Sequence, residues 1–248
     1  LTPKIILIDI ETSPLTTYTW SAFEDNALKI LEFSKIMSVA YKDLHSPTVS
    51  CKAVADYKGY KKGEINDEKL VREIWEVLDK ADIVIAHHGD RFDLPKLNSR
   101  FVYYGLTAPS YYKSIDTKKI ASRYFKFDSN SLNNLSAYLS LGAKAETGGF
   151  SLWDKCIQGD KDAWKKMKAY NVYDVVLLEK VYLTLRPFME NHPNLNIISG
   201  STEAHACHTC QSKNTVKQGF KITVTGKKQR YQCNDCGAWS TGKFEKNT

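Results

Sequence analysis

The chain has 248 residues, 42% of them hydrophobic and 25% charged, a balance that belongs to globular proteins and excludes wholesale disorder. The length allows one or two domains, and no apolar run approaches the roughly 18 residues of a membrane span or the layout of a secretory leader. The net charge of +7 is unevenly placed: residues 207–248 hold eight basic and two acidic side chains, a balance of +6, against +1 for residues 1–206.

Residues 4–10 (KIILIDI) are nearly continuously apolar and β-branched, which predicts a central strand buried on both faces. Segments 35–42 and 48–56 read as further strands, its antiparallel meander partners. Asn66 or Asp67 can cap a helix to about Lys80, whose Leu70, Ile74, Trp75 and Leu78 recur at helical spacing. A short strand, Ile83 to His87, is followed by a helix that starts near Pro95, runs over Leu97 to Tyr104 and closes at Gly105. Segment 111–115 reads as a strand. Helices are expected over 117–124, 131–140 and 161–187, with Asp116 as a cap and Pro187 ending the last. Three strands followed by alternating helices and strands make an α/β domain with a mixed sheet. The stretch 194–206 (NLNIISGSTEAHA) has no sustained periodicity and reads as a linker, dividing the chain into domains 1–195 and 203–248.

Three segments carry acids in telling places. Asp9-Ile10-Glu11 ends the first strand, where residues i and i+2 face the same way. Two carboxylates side by side there repel each other and resist desolvation, and a hard divalent cation relieves both problems; a solvated strand end is the alternative. His87-His88-Gly89-Asp90-Arg91-Phe92-Asp93 forms a strand-to-helix loop, a frequent seat of function in α/β folds, although Asp93 also reads as a helix N-cap. Tyr170 and Asp174 lie four apart on the last long helix and share a face with Leu177, Leu178, Val181 and Leu185. Asp174 thus extends an apolar stripe, where a carboxylate needs a cation or a strong donor; a packing tyrosine beside a half-exposed aspartate is the alternative.

The ordered set Asp-x-Glu, Phe-Asp, Tyr-x-x-x-Asp resembles the DEDDy branch of the DnaQ-like 3′–5′ exonucleases, which include the proofreading domains of DNA polymerases and have a ribonuclease H-like fold. Asp9-Ile10-Glu11-Thr12 is similar to the family's first motif. His88 to Pro95 is similar to the second in its B-family polymerase version, in which the aspartate after the aromatic is catalytic, so the match is Asp93 and not Asp90; that version usually has Asn where His88 stands. Tyr170 and Asp174 match the third motif. The resemblance spans roughly residues 4 to 186 and implies a mixed five-stranded sheet flanked by helices. It also implies two-metal phosphodiester hydrolysis with Mg²⁺ or Mn²⁺: Asp9 bridging both ions, Glu11 and Asp174 completing the nucleophile-side site, Asp93 holding the second ion through water, and Tyr170 orienting the attacking water.

Cys207, Cys210, Cys233 and Cys236 form C-x2-C-x22-C-x2-C, the spacing of a zinc ribbon with one structural Zn²⁺. Cys51 and Cys156 are isolated and read as buried thiols. Between the cysteine pairs, Phe220–Val224 and Gln229–Gln232 read as a β-hairpin joined by a basic tip, Gly226-Lys227-Lys228. A segment so basic is expected to meet a polyanion, and Lys227, Lys228, Arg230 and Tyr231 are the expected nucleic-acid contacts of the ribbon. Thr12 is expected beside the terminal nucleotide, and Tyr18, Trp20 and Phe23 either stack on bases or pack. His87 or His88 either contacts phosphate or stabilises its turn, and His45 and His192 read as surface residues.

The expectation is therefore a metal-dependent 3′–5′ exonuclease with a ribbon that helps to grip the strand. Single-stranded DNA is the favoured partner. RNA is the alternative within the same chemistry, and a non-catalytic nucleic-acid-binding adaptor is the alternative outside it. Further expectations are a replication or repair complex as a second partner, and an intracellular place in cytoplasm or nucleoid, or in host cytoplasm for a viral protein.

Overall fold

The structure, a computed structural model, describes residues 2–23, 26–142, 148–203 and 205–246. In chain order its strands are β1 (Ile5–Thr12), β2 (Thr16–Tyr18), β3 (Lys29–Glu32), β4 (Ile36–Asp43), β5 (Ser50–Ala53), β6 (Ile83–Ala86), β7 (Lys113–Asp116), β8 (Thr215–Thr223), β9 (Gly226–Cys233) and β10 (Trp239–Lys246). The helices are α1 (Glu68–Asp79), α2 (Asp93–Tyr103), α3 (Thr117–Tyr124), α4 (Leu132–Tyr138), α5 (Phe150–Ile157), α6 (Lys161–Leu185) and α7 (Leu195–Ser199).

Five strands form the expected mixed sheet in the order β5-β4-β1-β6-β7. β4 and β5 are antiparallel meander partners of β1, and β6 and β7 run parallel to it. Alternation along β1 splits the core in two. Ile6, Ile8 and Ile10 pack with α1, α2, α5 and the start of α6. Ile5 and Leu7 pack with α3, α4 and the rest of α6. Asp9 and Glu11 continue the second set, so they lie on the face covered by α6. β1 pairs with β4 as far as Thr12 but with β6 only as far as Leu7. Its acidic end thus projects past β6, and the N-terminus of α2 fills the space.

Asp160 caps α6 by accepting from the Asp162 and Ala163 N–H groups. The buried stripe of α6 runs Ala163, Trp164, Met167, Asn171, Asp174, Val175, Leu177, Leu178, Val181, Tyr182, Leu185, spacing that keeps one face inward. Asn171 and Asp174 interrupt it with polar groups at the level of the β1 acids. A partly buried Lys42–Glu179 ion pair at 2.6 Å pins the helix to β4. On the other face Asp67, fully buried, receives Arg100 in a two-pronged pair together with the Ile36 N–H and the Tyr104 hydroxyl. Asp67 precedes α1 as expected, but its carboxylate makes no cap bond; the buried guanidinium competes more strongly for it.

Several elements depart from expectation. Phe150–Ile157 is helical, with Leu152 and Cys156 one turn apart and buried. The segment read as a linker holds α7, whose Asn194 side chain accepts from the Asn196 N–H while Leu195 enters the core. The Leu195 N–H donates to His208 O at 2.8 Å and Asn196 Nδ2 to Ala206 O at 3.0 Å, so this stretch ties the cysteine-bearing segment to the core packed on α6; residue 204 lies outside the described residues. His192, expected on the surface, is held at the same junction by the Tyr182 hydroxyl at 2.7 Å. The ribbon is three-stranded, in the order β10-β9-β8. Gly226-Lys227-Lys228 belongs to β9, and the tip is the exposed Val224 with Thr225, because Thr223 pairs directly with Gly226.

Candidate active site and metal centres

Asp9 and Glu11 on β1 and Asp174 on α6 bring one carboxylate oxygen each to within 4.8 Å of one another. Asp174 is buried, whereas Asp9 and Glu11 are half-buried and reach toward solvent. Three anionic oxygens gathered this closely repel each other strongly, and hard oxygen donors of this kind fit Mg²⁺ or Mn²⁺. The donor set therefore fits the ions expected from the sequence.

Asp93 stands beside this cluster and is not one of the three. It is the first residue of α2 and does not cap it. Its Oδ1 instead accepts from the Ile10 N–H at 3.1 Å, the backbone group between Asp9 and Glu11 that β6 leaves unpaired. Burial pushes its carboxyl up to about 7, with the Asp116 charge adding to the effect and the Ile10 bond opposing it. Tyr170 lies one turn before Asp174, half-buried, with its ring edge-on to Trp153 of α5 at 6.3 Å. Thr12 is half-buried at the end of β1, opposite Ile36.

Two supporting residues were not legible as such. Asn171, fully buried, donates from Nδ2 to Asp9 Oδ2 at 2.6 Å and to Asp9 O at 3.1 Å. Its Oδ1 accepts from Ser38 Oγ at 3.0 Å, so its amide orientation is fixed from both ends. The only sequence signal was its place inside the Tyr170-to-Asp174 motif. Trp153 gave none, because α5 itself was not foreseen.

Of the two loop histidines, His87 is bonded through both ring nitrogens. His87 bridges Thr117 Oγ1 and Asn130 O, each at 2.9 Å, and burial pushes it down to about 4. A carbonyl accepts only, so Nε2 carries the proton and Nδ1 accepts from Thr117. His88 takes a left-handed backbone at φ 67°, and a Cβ on Gly89 would run into Ala86 Cβ, so this turn demands glycine. Asp116 caps α3 as expected, and Asp90 pairs with Lys119 at 2.7 Å, which keeps it out of the acidic cluster.

A hairpin of β2 and β3 rises directly from the acidic end of β1. It is closed at its base by Ser13 N–H to Lys35 O at 2.8 Å and Lys35 N–H to Ser13 Oγ at 2.9 Å. Tyr18, Trp20 and Phe23 are exposed on it, with Leu28, Leu31 and Phe33 nearby, so these aromatics do not pack.

In the ribbon all four cysteine sulfurs lie within 4.8 Å of one another, with Cys207–Cys236 and Cys210–Cys233 each at 3.6 Å. Four thiolates about 2.3 Å from a tetrahedral ion have edges of about 3.8 Å, so the set fits zinc. Lys227 lies over the Phe220 ring at 4.5 Å and Arg230 over Trp239 at 5.3 Å, while Lys228 is half-buried on the same strand. Tyr231 corrects the expectation of a nucleic-acid contact: it is 7% exposed, stacked on His205 at 4.6 Å, because β9 is the central strand and this position faces inward.

A family model described as RNase_H superfamily matches residues 40–186, a span that includes Asp93, Tyr170 and Asp174 but begins after Asp9 and Glu11. No curated relative matches the chain. Among solved structures, the family B DNA polymerase from the hyperthermophilic archaeon Pyrobaculum calidifontis is similar, with a TM-score of 0.51 and 13% identity over 75% of this chain. The matched part is 26% of the polymerase chain, and at such identity the likeness concerns fold alone. Among the described residues no helix is long and apolar enough to cross a membrane.

Proposed function

This chain belongs to the ribonuclease H superfamily, and from that premise we propose that it is a divalent-metal-dependent 3′–5′ exonuclease acting on single-stranded DNA. The observation that carries the reading is the gathering of Asp9, Glu11 and Asp174 from the first strand and the last long helix of the fold, with Asp93 set against the backbone between the first two and Tyr170 one helical turn from the third.

When bound, two divalent ions supply a water of lowered pKa and charge stabilisation at the departing 3′ oxygen. Asp9, Glu11 and Asp174 would hold them, and Asp93, once ionised, would supply the fourth negative charge. Four carboxylates against two divalent ions leave the site near neutral, so a phosphodiester can approach; the acids alone would repel it. Asn171 fixes the Asp9 carboxylate by its 2.6 Å bond. The Tyr170 hydroxyl, held by the ring contact with Trp153, orients the attacking water. The exposed aromatics of the β2–β3 hairpin stack on unpaired bases, which favours a single strand. The ribbon, whose four cysteines would hold one structural Zn²⁺, adds Lys227, Lys228 and Arg230 as backbone contacts to the strand. A replication or repair assembly is the proposed setting.

End-labelled single-stranded DNA, duplex DNA and RNA, digested with Mg²⁺ or Mn²⁺ by wild type and by Asp9→Ala, test this. The expected result is a ladder shrinking from the 3′ end of single-stranded DNA in the wild type alone. Robust digestion in excess EDTA, or by Asp9→Ala, overturns the proposal, and preferential digestion of RNA moves the substrate to RNA.

A further inference from the structure

Residues 1–206 are nearly charge-neutral as a whole, but the fold concentrates cations at one place on them. An open groove is lined by His88, Arg91, Lys118, Lys119, Ser122 and Arg123. One wall is the loop after β6 and the other is the outer face of α3, where Lys118 and Ser122, and Lys119 and Arg123, stack one turn apart. Among the described residues Arg91, Lys118 and Arg123 form no ion pair, and Lys119 pairs with Asp90 across the groove at 2.7 Å.

The groove is held open by construction. Asp116, 5% exposed, accepts from the His88 N–H at 2.9 Å and the Asp90 N–H at 3.4 Å on one wall. On the other it accepts from the Lys118 N–H at 3.0 Å and the Lys119 N–H at 3.3 Å. A single buried carboxylate thus fixes the spacing of two basic segments by bonding to the backbone of each. Such residues normally spread apart by mutual repulsion unless an anion joins them.

Its place on the sheet relates it to the acids. The C-terminal ends of β1, β6 and β7 lie along one edge of the sheet in that order, about 4.8 Å apart per strand. Asp9 and Glu11 stand at the end of β1, the groove opens at the ends of β6 and β7, and α3 belongs to the same face of the sheet as α6. The loop that carries Arg91 reaches Asp93 two residues later. We infer that this groove is a binding track for the sugar-phosphate backbone of the single strand upstream of its 3′ end, separate from the metal-holding acids and from the ribbon. Phosphates are the occupant because four of the six lining residues are lysine or arginine, and because a chain already threaded past the acids meets these side chains next. The inference rests on the nuclease reading for its substrate, but its test does not depend on turnover.

The test uses the full chain and a fluorescent 20-nucleotide DNA with phosphorothioate linkages at its 3′ end, titrated in Mg²⁺ at a series of salt concentrations. The triple variant Arg91→Ala, Lys118→Ala, Arg123→Ala removes three cations of the groove, two exposed and Lys118 half-buried. It is compared with Lys161→Ala, Lys165→Ala, Lys166→Ala, which removes three exposed cations at the start of α6 and has the same net charge. Each phosphate contact to a single strand contributes about 0.7 to the slope of log affinity against log salt, so the groove variant should flatten that slope by about 2. The affinity itself should fall about tenfold or more at 0.1 M salt, and the α6 variant should follow wild type. A groove variant with the wild-type slope overturns the inference and leaves these cations to an acidic protein surface. Equal losses in both variants overturn it too, since they would report net charge alone. Absence of a 3′ ladder from the unaltered chain would instead sink the catalytic reading, and the binding comparison would still decide the groove.

Discussion

Replacing Asn171 by Ala separates holding the helix from holding the acid. The 2.6 Å bond from Nδ2 to Asp9 Oδ2 joins a neutral donor to a carboxylate, a class worth about 1.5–3 kcal/mol. Ser38 Oγ, fully buried, loses its 3.0 Å acceptor at the same time, at a further cost of about 1–3 kcal/mol. Alanine recovers roughly 0.5 kcal/mol of helix propensity, and the net expectation is a loss of about 3 kcal/mol on urea unfolding. Stability alone does not test the role, because any buried polar truncation does as much. The informative measurement is Mn²⁺ binding to the folded chain by calorimetry or paramagnetic resonance. A partner that orients a metal ligand typically controls 10–100-fold in affinity, and Asn171→Ala should lose that much while remaining folded. Asn171→Asp sharpens the comparison: a second carboxylate at 2.6 Å from Asp9 forces the two acids to share a proton in metal-free buffer, and Mn²⁺ binding should become steeply pH-dependent. Mn²⁺ affinity within twofold of wild type in Asn171→Ala, despite the lost stability, would refute the idea that this amide positions Asp9.

Tyr170→Phe keeps the ring contact with Trp153 and removes only the hydroxyl, so kcat on single-stranded DNA should fall about a hundredfold with Mn²⁺ affinity unchanged; an unaltered kcat removes Tyr170 from the chemistry. Burial holds Asp93 near 7, above the roughly 3.9 of an unfolded aspartate. The metal-free folded chain therefore keeps a proton that the unfolded chain sheds, and the stability from this group is fully present below about pH 4 and gone once the pH has risen through about 7. Asp93→Asn still accepts the Ile10 N–H but does not titrate, so its urea midpoint in metal-free buffer should decline less between pH 4.5 and 7.5 than that of wild type, and parallel profiles would count against the assignment. In the ribbon, Cys233→Ser should abolish the binding of one zinc per chain. It should also expose the cysteines that zinc protects to a thiol reagent and open residues 205–246 to protease. Retention of stoichiometric zinc would exclude a four-thiolate site.

Periodicity carried most of the fold because the core elements are long or strongly patterned. The β-branched run of β1, the spacing in α1 and the cap residues of α3 and α6 each encode their element locally. The elements that escaped are those whose reason to exist lies elsewhere in the chain. α7 is five residues long, too short for a pattern of its own, and is stabilised by the His208 carbonyl and the burial of Leu195. β2 and β3 are three and four residues long with none of them buried, and they have no apolar alternation to read. The burial of Tyr231 was not legible because β10, which makes β9 a central strand, was not foreseen.

The site divides in the same way. Its acids were legible because carboxylates at a strand end and within an apolar stripe are costly without a purpose. Its supports were not, since Asn171 in the sequence is one polar residue on a helix and Asp116 is one more cap. Only the folded chain shows that Asn171 reaches across 162 positions to Asp9 and that Asp116 ties two basic segments into one groove. The family match makes the same point, because it begins at residue 40 and leaves Asp9 and Glu11 outside. The first strand becomes half of the site through its register: pairing with β4 to Thr12 but with β6 only to Leu7 frees the Ile10 N–H for Asp93. A β6 longer by two or three residues would claim that N–H for its own ladder and displace Asp93. The short β6 and the Gly89 turn that ends it are therefore conditions for the fourth acid to stand where it does.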